Sequence, residues 1–385
     1  MPGPKLEREV KLEVGLGFEV PALDGVVAGA AAEALTDVSL RAVYVDTPTL
    51  RLMRAGVTLR HRRDGRAGAH GERGWTLKLP AAPDGRGLVR KELTWPGSPG
   101  SLPRQAASLV RALQGGEDLG AVARLLTRRR RTLLRDAAGA PLVEIDDDVV
   151  SVMDGRRLAA RFREVEVEVV GPGGGQVLGA VVGRLESAGA VLGDDRPKVV
   201  RALGRRATQP PDVVVARLGP GSTLGEVVGA AIAAGYCRLV SHDPGVRLDQ
   251  DDEDVHQARV ATRRLRSDLQ TFGTLLDDAW AGPVRDELGW LAAALGRVRD
   301  ADVLGARLAR QVEGLAGADH DGAAPLFRRL AAARREARRD LAAAMDSDRY
   351  LDLLRILAAG ALDPPLRRRP PAGIPATAPD GPGPA

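Results

Sequence analysis

Apolar and polar positions alternate with period two in "EREVKLEV" near the N-terminus. Glu7, Glu9, Lys11 and Glu13 fall on one side of a strand, and Val10, Leu12 and Val14 on the other beside Arg8. The same texture returns in "LRAVYVDTP", "VTLRHRR", "GWTLKLP", "LVRKELTW", "RRTLLRD", "PLVEIDDDVV" and "FREVEVEVVG", separated by Gly, Pro and Asp clusters. Helical patterns interrupt it chiefly at residues 22–35, 101–114 and 177–188. These features predict a strand-rich domain over residues 1–204. The stretch "RRATQPPDVVVARLGPGS", residues 205–222, reads as a linker because its prolines and glycines stop either element from continuing. From Thr223 the period becomes 3.6, through Leu224, Val227, Val228 and Ile232, then Leu265, Leu269 and Phe272, then Leu288, Leu291, Leu295 and Val298. An all-α bundle over residues 223–363 follows from that pattern. Residues 364–385, "PPLRRRPPAGIPATAPDGPGPA", have the composition of disorder. The fold class expected is α+β followed by all-α.

A strand normally hides its apolar side and wets its polar side, so one charged strand is a solvated sheet face. Here the pattern recurs in Arg60 and Arg62, Lys78, Arg90 and Glu92, then Glu144, Asp146 and Asp148, then Glu164, Glu166 and Glu168. Closing such strands around an axis, apolar side outward beneath helices, gives a tunnel lined by both signs of charge. Carboxylates such as Glu7, Glu9, Glu164, Glu166 and Glu168 are hard oxygen ligands suited to Mg²⁺ or Mn²⁺. Arginines and lysines on other strands suit phosphoryl oxygens. Buried charge this dense is costly without an anionic ligand, which points to phosphoryl chemistry.

Composition narrows the picture. Aromatic residues make up 3% of the 385, so the cores rest on Leu, Val and Ala, and the net charge of +5 favours an anionic partner. The lone Cys237 excludes an intramolecular disulfide framework. A charged N-terminus and a longest apolar run, Val227 to Cys237, too short to span a bilayer predict a soluble cytoplasmic protein with no membrane partner. No P-loop motif is present, "GPGGG" at Gly171 reads as a turn, and His61, His70, His242 and His320 show no metal-ligand spacing.

The ordered set of Glu7-x-Glu9-x-Lys11, "LRHRR", "TLK", "EVEVE" and "DDRPKVVRAL" resembles the CYTH domain of the triphosphate tunnel metalloenzymes, from Glu7 to about Leu203. The resemblance implies an eight-stranded antiparallel tunnel with flanking helices that binds or hydrolyses triphosphate compounds with Mg²⁺ or Mn²⁺. It implies a catalytic Glu7, Glu9 and Lys11, and metal held by Glu7, Glu9, Glu166 and Glu168. Glu164 and Asp148 are further metal candidates whose register three alternating acids leave open. Phosphates would be held by Lys11, Arg60, Arg62, Lys78, Arg90 and Lys198. Two basic positions of "TRRRRTLL" also face inward, either Arg129 with Arg131 or Arg128 with Arg130.

In the second half, "DVHQARVATRRLR" places His256, Arg259, Arg263 and Arg266 within a helical arc of roughly 80°, three arginines aligned with no intervening acid. With "LGRVRDADVL", this stretch resembles the CHAD domain. That resemblance implies inorganic polyphosphate binding by His256, Arg259, Arg263, Arg264 and Arg266, with Arg297 and Arg299 beside them. The family's second His- and Arg/Lys-rich half is not met before the Pro-rich tail, so the module reads as truncated. The expected activity is metal-dependent triphosphate hydrolysis with polyphosphate binding, at the cytoplasm or its polyphosphate granules. A non-catalytic polyphosphate-targeting protein is the alternative, and adenylate cyclase ranks last. Nucleic acid is the weaker partner, since the basic helix lacks interleaved aromatics.

Overall fold

The computed structural model describes residues 5–64, 73–80, 88–194, 196–313 and 322–367. Packing divides the chain into two units, Met1–Asp212 and Val213–Ala385. The first is a nine-stranded antiparallel sheet in the order β5-β4-β3-β2-β6-β7-β8-β1-β9. Its strands are β1 (Lys5–Val14), β2 (Ala31–Asp46), β3 (Thr58–Asp64), β4 (Arg73–Pro80) and β5 (Leu88–Trp95), then β6 (Gly120–Arg135), β7 (Pro141–Asp154), β8 (Arg157–Val169) and β9 (Val191–Leu192). Glu9 pairs with Leu88 of β5 and with Glu168 of β8. One residue with neighbours on both edges means that β1 closes the sheet into a barrel. The two-residue β9 only adds to the far half of β1, at Leu12 and Glu13, so the eight long strands form the expected tunnel.

Period two sends each strand's two faces into different cores. Outside, Leu12, Val143, Ile145, Val165 and Val167 pack beneath Leu178, Val181 and Leu185 of α3 (Gly174–Ser187). Each such fully buried side chain contributes roughly 1.5–3 kcal/mol. Inside, Ala42, Tyr44, Leu125, Val150 and Val152 meet Val199 and Val200 of α4 (Lys198–Leu203), so part of the lumen is plugged by an apolar helix. The turn before α3 needs its glycine, since a Cβ on Gly171 would lie 1.8 Å from the Pro141 carbonyl oxygen.

The helix expected over residues 22–35 does not form. Gly25 and Gly29 adopt left-handed φ values of 69° and 74°, and β2 starts at Ala31, paired to β6 from Ala31↔Arg135 through Leu35↔Arg131. The helices expected at 101–114 and 177–188 are present as α2 (Arg104–Gln114) and α3. Between Asp46 and β3 lies the one-turn α1 (Arg51–Arg54).

The region read as a linker is attached. Ala207 is buried in the inner core, and Asp212 is paired with Arg51 and Arg54 of α1. Val213 belongs to the helical unit, its carbonyl facing the Cys237 thiol at 3.5 Å.

That second unit contains α5 (Leu224–Leu248), α6 (Asp252–Thr271), α7 (Asp278–Val312), α8 (Ala324–Asp346) and α9 (Asp348–Leu362). Thr223 and Glu226 form a reciprocal capping box that starts α5 where the period changes. At 25 residues α5 outlasts the apolar run seen in sequence and is long and apolar enough to cross a membrane. Half of its most apolar stretch is buried inside the bundle, and it also buries Asp243 against Arg247 and the Tyr350 hydroxyl at 2.7 and 2.8 Å. His242 lies on this helix rather than in a loop and meets Asp254 at 2.7 Å. The Pro-rich tail begins in ordered contact: the Pro365 carbonyl accepts from Asp277 N–H, and Arg367 N–H donates to the Leu275 carbonyl. Residues 368–385, like His70 and His320, lie outside the described residues.

Candidate functional site

The barrel encloses a cavity of about 510 Å³. Strands β3, β4 and β5 bring Arg60, Arg62, Lys78 and Arg90 to it. Glu144, Asp146 and Asp148 of β7, Glu166 and Glu168 of β8, and Glu9 and Lys11 of β1 line it too. The two-sign lumen follows from register. Tyr44 sits opposite Arg60, Arg131 opposite Asp146, and Lys11 opposite Glu166, so side chains of like parity converge.

The "TRRRR" ambiguity resolves as Arg129 and Arg131 inward, with Arg128 and Arg130 outward. Arg129 donates to Asp148 at 2.6 and 2.8 Å and to Glu166 at 3.0 Å, and also pairs with Asp146. Arg131 meets Glu144 at 2.6 Å. Lys198, at the start of the plug helix, places Nζ 3.0 Å from Asp148, 2.8 Å from Glu164 and 2.6 Å from Glu166. Lys11 lies 3.0 Å from Glu166 and 3.4 Å from Glu9. Glu164 lies outside the cavity lining, engaged by Lys198 and, at 3.6 Å, by Arg201. The Glu7 side chain lies outside the described residues, although its backbone pairs with Arg90.

These contacts set proton affinities. Burial alone would lower Lys198, but Glu164, Glu166 and Asp148 outweigh it and hold the ammonium well above the ordinary lysine value. Burial would raise Glu166, yet Lys198, Lys11 and Arg129 hold it well below the carboxylate range. Asp146 goes the other way. Burial, with Asp148, Glu144 and Glu166 nearby, outweighs Arg129 and pushes its carboxyl up to about 8. It is hydrogen-bonded with Glu144, while its buried Oδ1 has no hydrogen-bond partner among the described residues.

The lumen also contains Asp64, which continues the alternation of Arg60 and Arg62, and residues that charge alternation does not select, namely Tyr44, Thr58 and Thr127. Tyr44 Oη accepts from Arg60 Nη1 at 3.2 Å. Burial would raise its phenol, but Arg60, Lys198 and Lys78 lower it. The alternation of Leu40, Ala42 and Tyr44 in "LRAVYVD" would place this ring inside if a charge fixed the strand's inward face. His61 points away from the lumen, buried against Trp75 and 3.0 Å from the Gly97 carbonyl.

As metal donors, Glu9, Glu144, Asp146, Glu166 and Glu168 offer only hard carboxylate oxygens, and the orphaned Asp146 Oδ1 is a buried acceptor suited to a cation. Among the described residues no three of them converge as a ready ligand set, because Lys11, Arg129 and Lys198 engage Glu166 and Asp148. This fits a divalent ion that arrives with phosphate oxygens and takes one or two carboxylates, as Mg²⁺ commonly does.

In the helical unit, α6 presents Arg259, Arg263, Arg264 and Arg266, with His256 half-buried beside them. Opposite, Gly296 of α7 leaves room for an arginine, since a Cβ there would lie 2.5 Å from Arg259 Nη1, while Arg266 packs near Gly289. Arg297 and Arg299 are nearby in sequence but engaged, with Asp340 at 3.2 Å and with Asp252 respectively. Arg264 leans toward Asp268 at 3.7 Å. The cations that α6 leaves to a ligand, with no ion pair among the described residues, are therefore Arg259, Arg263 and Arg266.

A closed antiparallel barrel with a two-sign lumen, followed by a helical bundle with an arginine face, defines the class of this protein. The chain carries a CYTH domain, matched over residues 5–192, followed by a CHAD domain, matched over residues 230–381. Two uncharacterized Mycobacterium tuberculosis proteins, Rv2226 and MT2285, are each 35% identical over 333 residues, 82% of this chain. The match spans 61% of their length. Among solved structures, the PH1819 protein of Pyrococcus horikoshii is 19% identical over 51% of this chain and 98% of its own, with a TM-score of 0.32. HpAC1 from Hippeastrum, described as having a dominant triphosphatase activity, is 19% identical over 50% of this chain and 94% of its own, also at 0.32.

Proposed function

We propose that the barrel binds and hydrolyses inorganic triphosphate or a related triphosphate compound with a divalent metal, and that the helical unit binds polyphosphate. The carrying observation is the division of the lumen. Arg60, Arg62, Lys78 and Arg90 concentrate on β3, β4 and β5, beside Asp64 and Glu92, the latter 3.1 Å from Lys78, and face the carboxylate-rich strands β7, β8 and β1 around about 510 Å³. A phosphate chain is held by the cationic wall through charge-assisted hydrogen bonds, Arg by its fork and Lys as a point charge. Glu9, Glu144, Asp146 and Glu168 would hold Mg²⁺ or Mn²⁺, which when bound supplies charge neutralisation at the phosphoryl oxygens. Glu166, locked by Lys11, Lys198 and Arg129, keeps its negative charge and orients those cations.

A receptor without turnover is the second reading. It is favoured by one observation, that the deepest carboxylates are already neutralised by protein cations and form no ready metal set among the described residues. Phosphate release from tripolyphosphate, with and without Mg²⁺ or Mn²⁺, separates the two. E9Q, which keeps the shape but weakens a hard-cation ligand, should cost activity most at limiting metal, whereas unchanged hydrolysis there would remove Glu9 from the metal site.

A further inference from the structure

Arg128 and Arg130, sent outward by the register of β6, do not stand alone. On the same outer face lie Arg63 (β3), Arg41 (β2), Arg124 (β6) and, beyond the intervening β7, Arg161 (β8). Arg41 is directly opposite Arg63 in one register, and opposite Leu126 of β6 in the other. None of the six pairs with a carboxylate among the described residues. The strand acids on this face are Asp37, exposed in the bulge of β2, and Asp147, whose two oxygens are both taken by Arg163 at 2.7 Å; the exposed Glu19 also acts on Arg163. Like charges directly opposite across a sheet destabilise it, and solvated sheet faces ordinarily mix signs. Elsewhere the barrel's exterior is covered, as by α3 over β7 and β8. Here Leu126, at the centre of the face, is 37% exposed.

The face also has a concavity. Where β2 inserts Thr36 and Asp37 opposite the single Arg130, a second cavity of about 410 Å³ opens, lined by Arg128, Arg130, Asp147, Arg163 and Leu16. Val38 and Arg129 border both this cavity and the tunnel.

We infer that this exterior arginine face is a second polyanion site, which takes a linear polyphosphate chain across β3, β2, β6, β7 and β8 with one segment seated in the bulge cavity. At strand spacings near 4.8 Å and about 3.3 Å per residue, the six guanidiniums cover a patch roughly 20 Å on a side. That is too wide for one phosphate and suited to an extended chain that meets several cations in turn. The face offers no exposed aromatic ring for stacking among the described residues, so it favours a polyanion without bases over single-stranded nucleic acid. Naming polyphosphate rests on the tunnel reading above, while the site itself rests on the face.

The test uses the full chain bearing R259E/R263E, so that α6 does not contribute, and titrates long-chain polyphosphate over a salt series. Residual binding should remain. Adding R128E/R130E should weaken it at least about tenfold and reduce the slope of log affinity against log salt by about two, one for each arginine that had neutralised a phosphate. R41S/R63S, on two other strands, should act in the same direction if the first pair disturbs folding. Tripolyphosphate hydrolysis should be unchanged in every exterior variant. No residual binding, or binding indifferent to both pairs, overturns the site. Tighter binding of a single-stranded oligonucleotide than of polyphosphate at equal salt overturns its ligand. Absent tripolyphosphate hydrolysis with intact exterior binding would instead count against the tunnel reading alone.

Discussion

Lys198→Met removes one positive charge from between three carboxylates while keeping the buried stem. Lys198 Nζ lies within 3.0 Å of Asp148, Glu164 and Glu166, and the residue is 8% exposed. The cheapest relief for the variant is to bind a proton on one of these acids. For a glutamate of ordinary value 4.5, that uptake at pH 7 costs about 3 kcal/mol, at roughly 1.4 kcal/mol per pH unit. The figure agrees with the ~3–5 kcal/mol expected when a buried ion pair loses one partner. For a domain of this size it corresponds to a fall in melting temperature of roughly 6–12 °C. The pH dependence has a definite sign. Lys198 holds Glu166 well below its unfolded value, so this stabilisation is complete above pH 4.5 and is lost as pH falls through the folded value. The gap between wild type and K198M should be smaller at pH 5 than at pH 7, because the proton that substitutes for the ammonium is then taken up more cheaply. Urea unfolding of both proteins at pH 7 and pH 5 measures it. A loss below about 1 kcal/mol at pH 7, or one that does not narrow in acid, would refute the lock assigned to Lys198.

Three further outcomes follow from the same geometry. R60A or K78A should weaken tripolyphosphate binding far more than orthophosphate binding, by about 1.5–3 kcal/mol per charge-assisted hydrogen bond; calorimetry showing equal losses would make the residue a support of the fold. Asp146 binds its proton more tightly folded, at about 8, than at its ordinary 3.8, so it lowers stability as pH rises between those values. D146N should therefore gain stability over wild type from pH 4 toward pH 8, and parallel pH–stability curves would contradict the raised carboxyl. R259E/R263E should abolish the steeply salt-dependent polyphosphate binding contributed by α6 while leaving tripolyphosphate hydrolysis intact, read from binding and phosphate-release assays on one preparation.

Much of the site is legible in the sequence because charge alternation survives translation into a barrel. Glu9, Lys11, Arg60, Arg62, Lys78, Arg90, Glu166 and Glu168 all reach the cavity at every second position of their strands. Arg128 through Arg131 do not declare a face, since cations at every position carry no period; the pairing of Arg129 with Asp148 fixes them. The start of β2 is hidden because its Ala-rich residues favour helix locally, whereas pairing with β6 overrides that preference. Lys198 is recognisable as a cation of the site but not as a clamp, because its three partners lie on β7 and β8, remote in sequence. The boundary between the two units, Asp212 to Val213, falls inside the stretch read as a linker, but the docking of its first part is hidden for a similar reason: Arg51 and Arg54, far upstream, hold Asp212.

The central claim is that the two-sign lumen turns over a triphosphate. Its most direct test is phosphate release by the full chain from tripolyphosphate, compared with ATP, with Mg²⁺ and Mn²⁺ supplied in turn. The account predicts metal-dependent release from tripolyphosphate that falls in E9Q and in R60A. Tripolyphosphate bound in the tunnel but released unchanged with either metal would contradict it and leave the barrel a receptor.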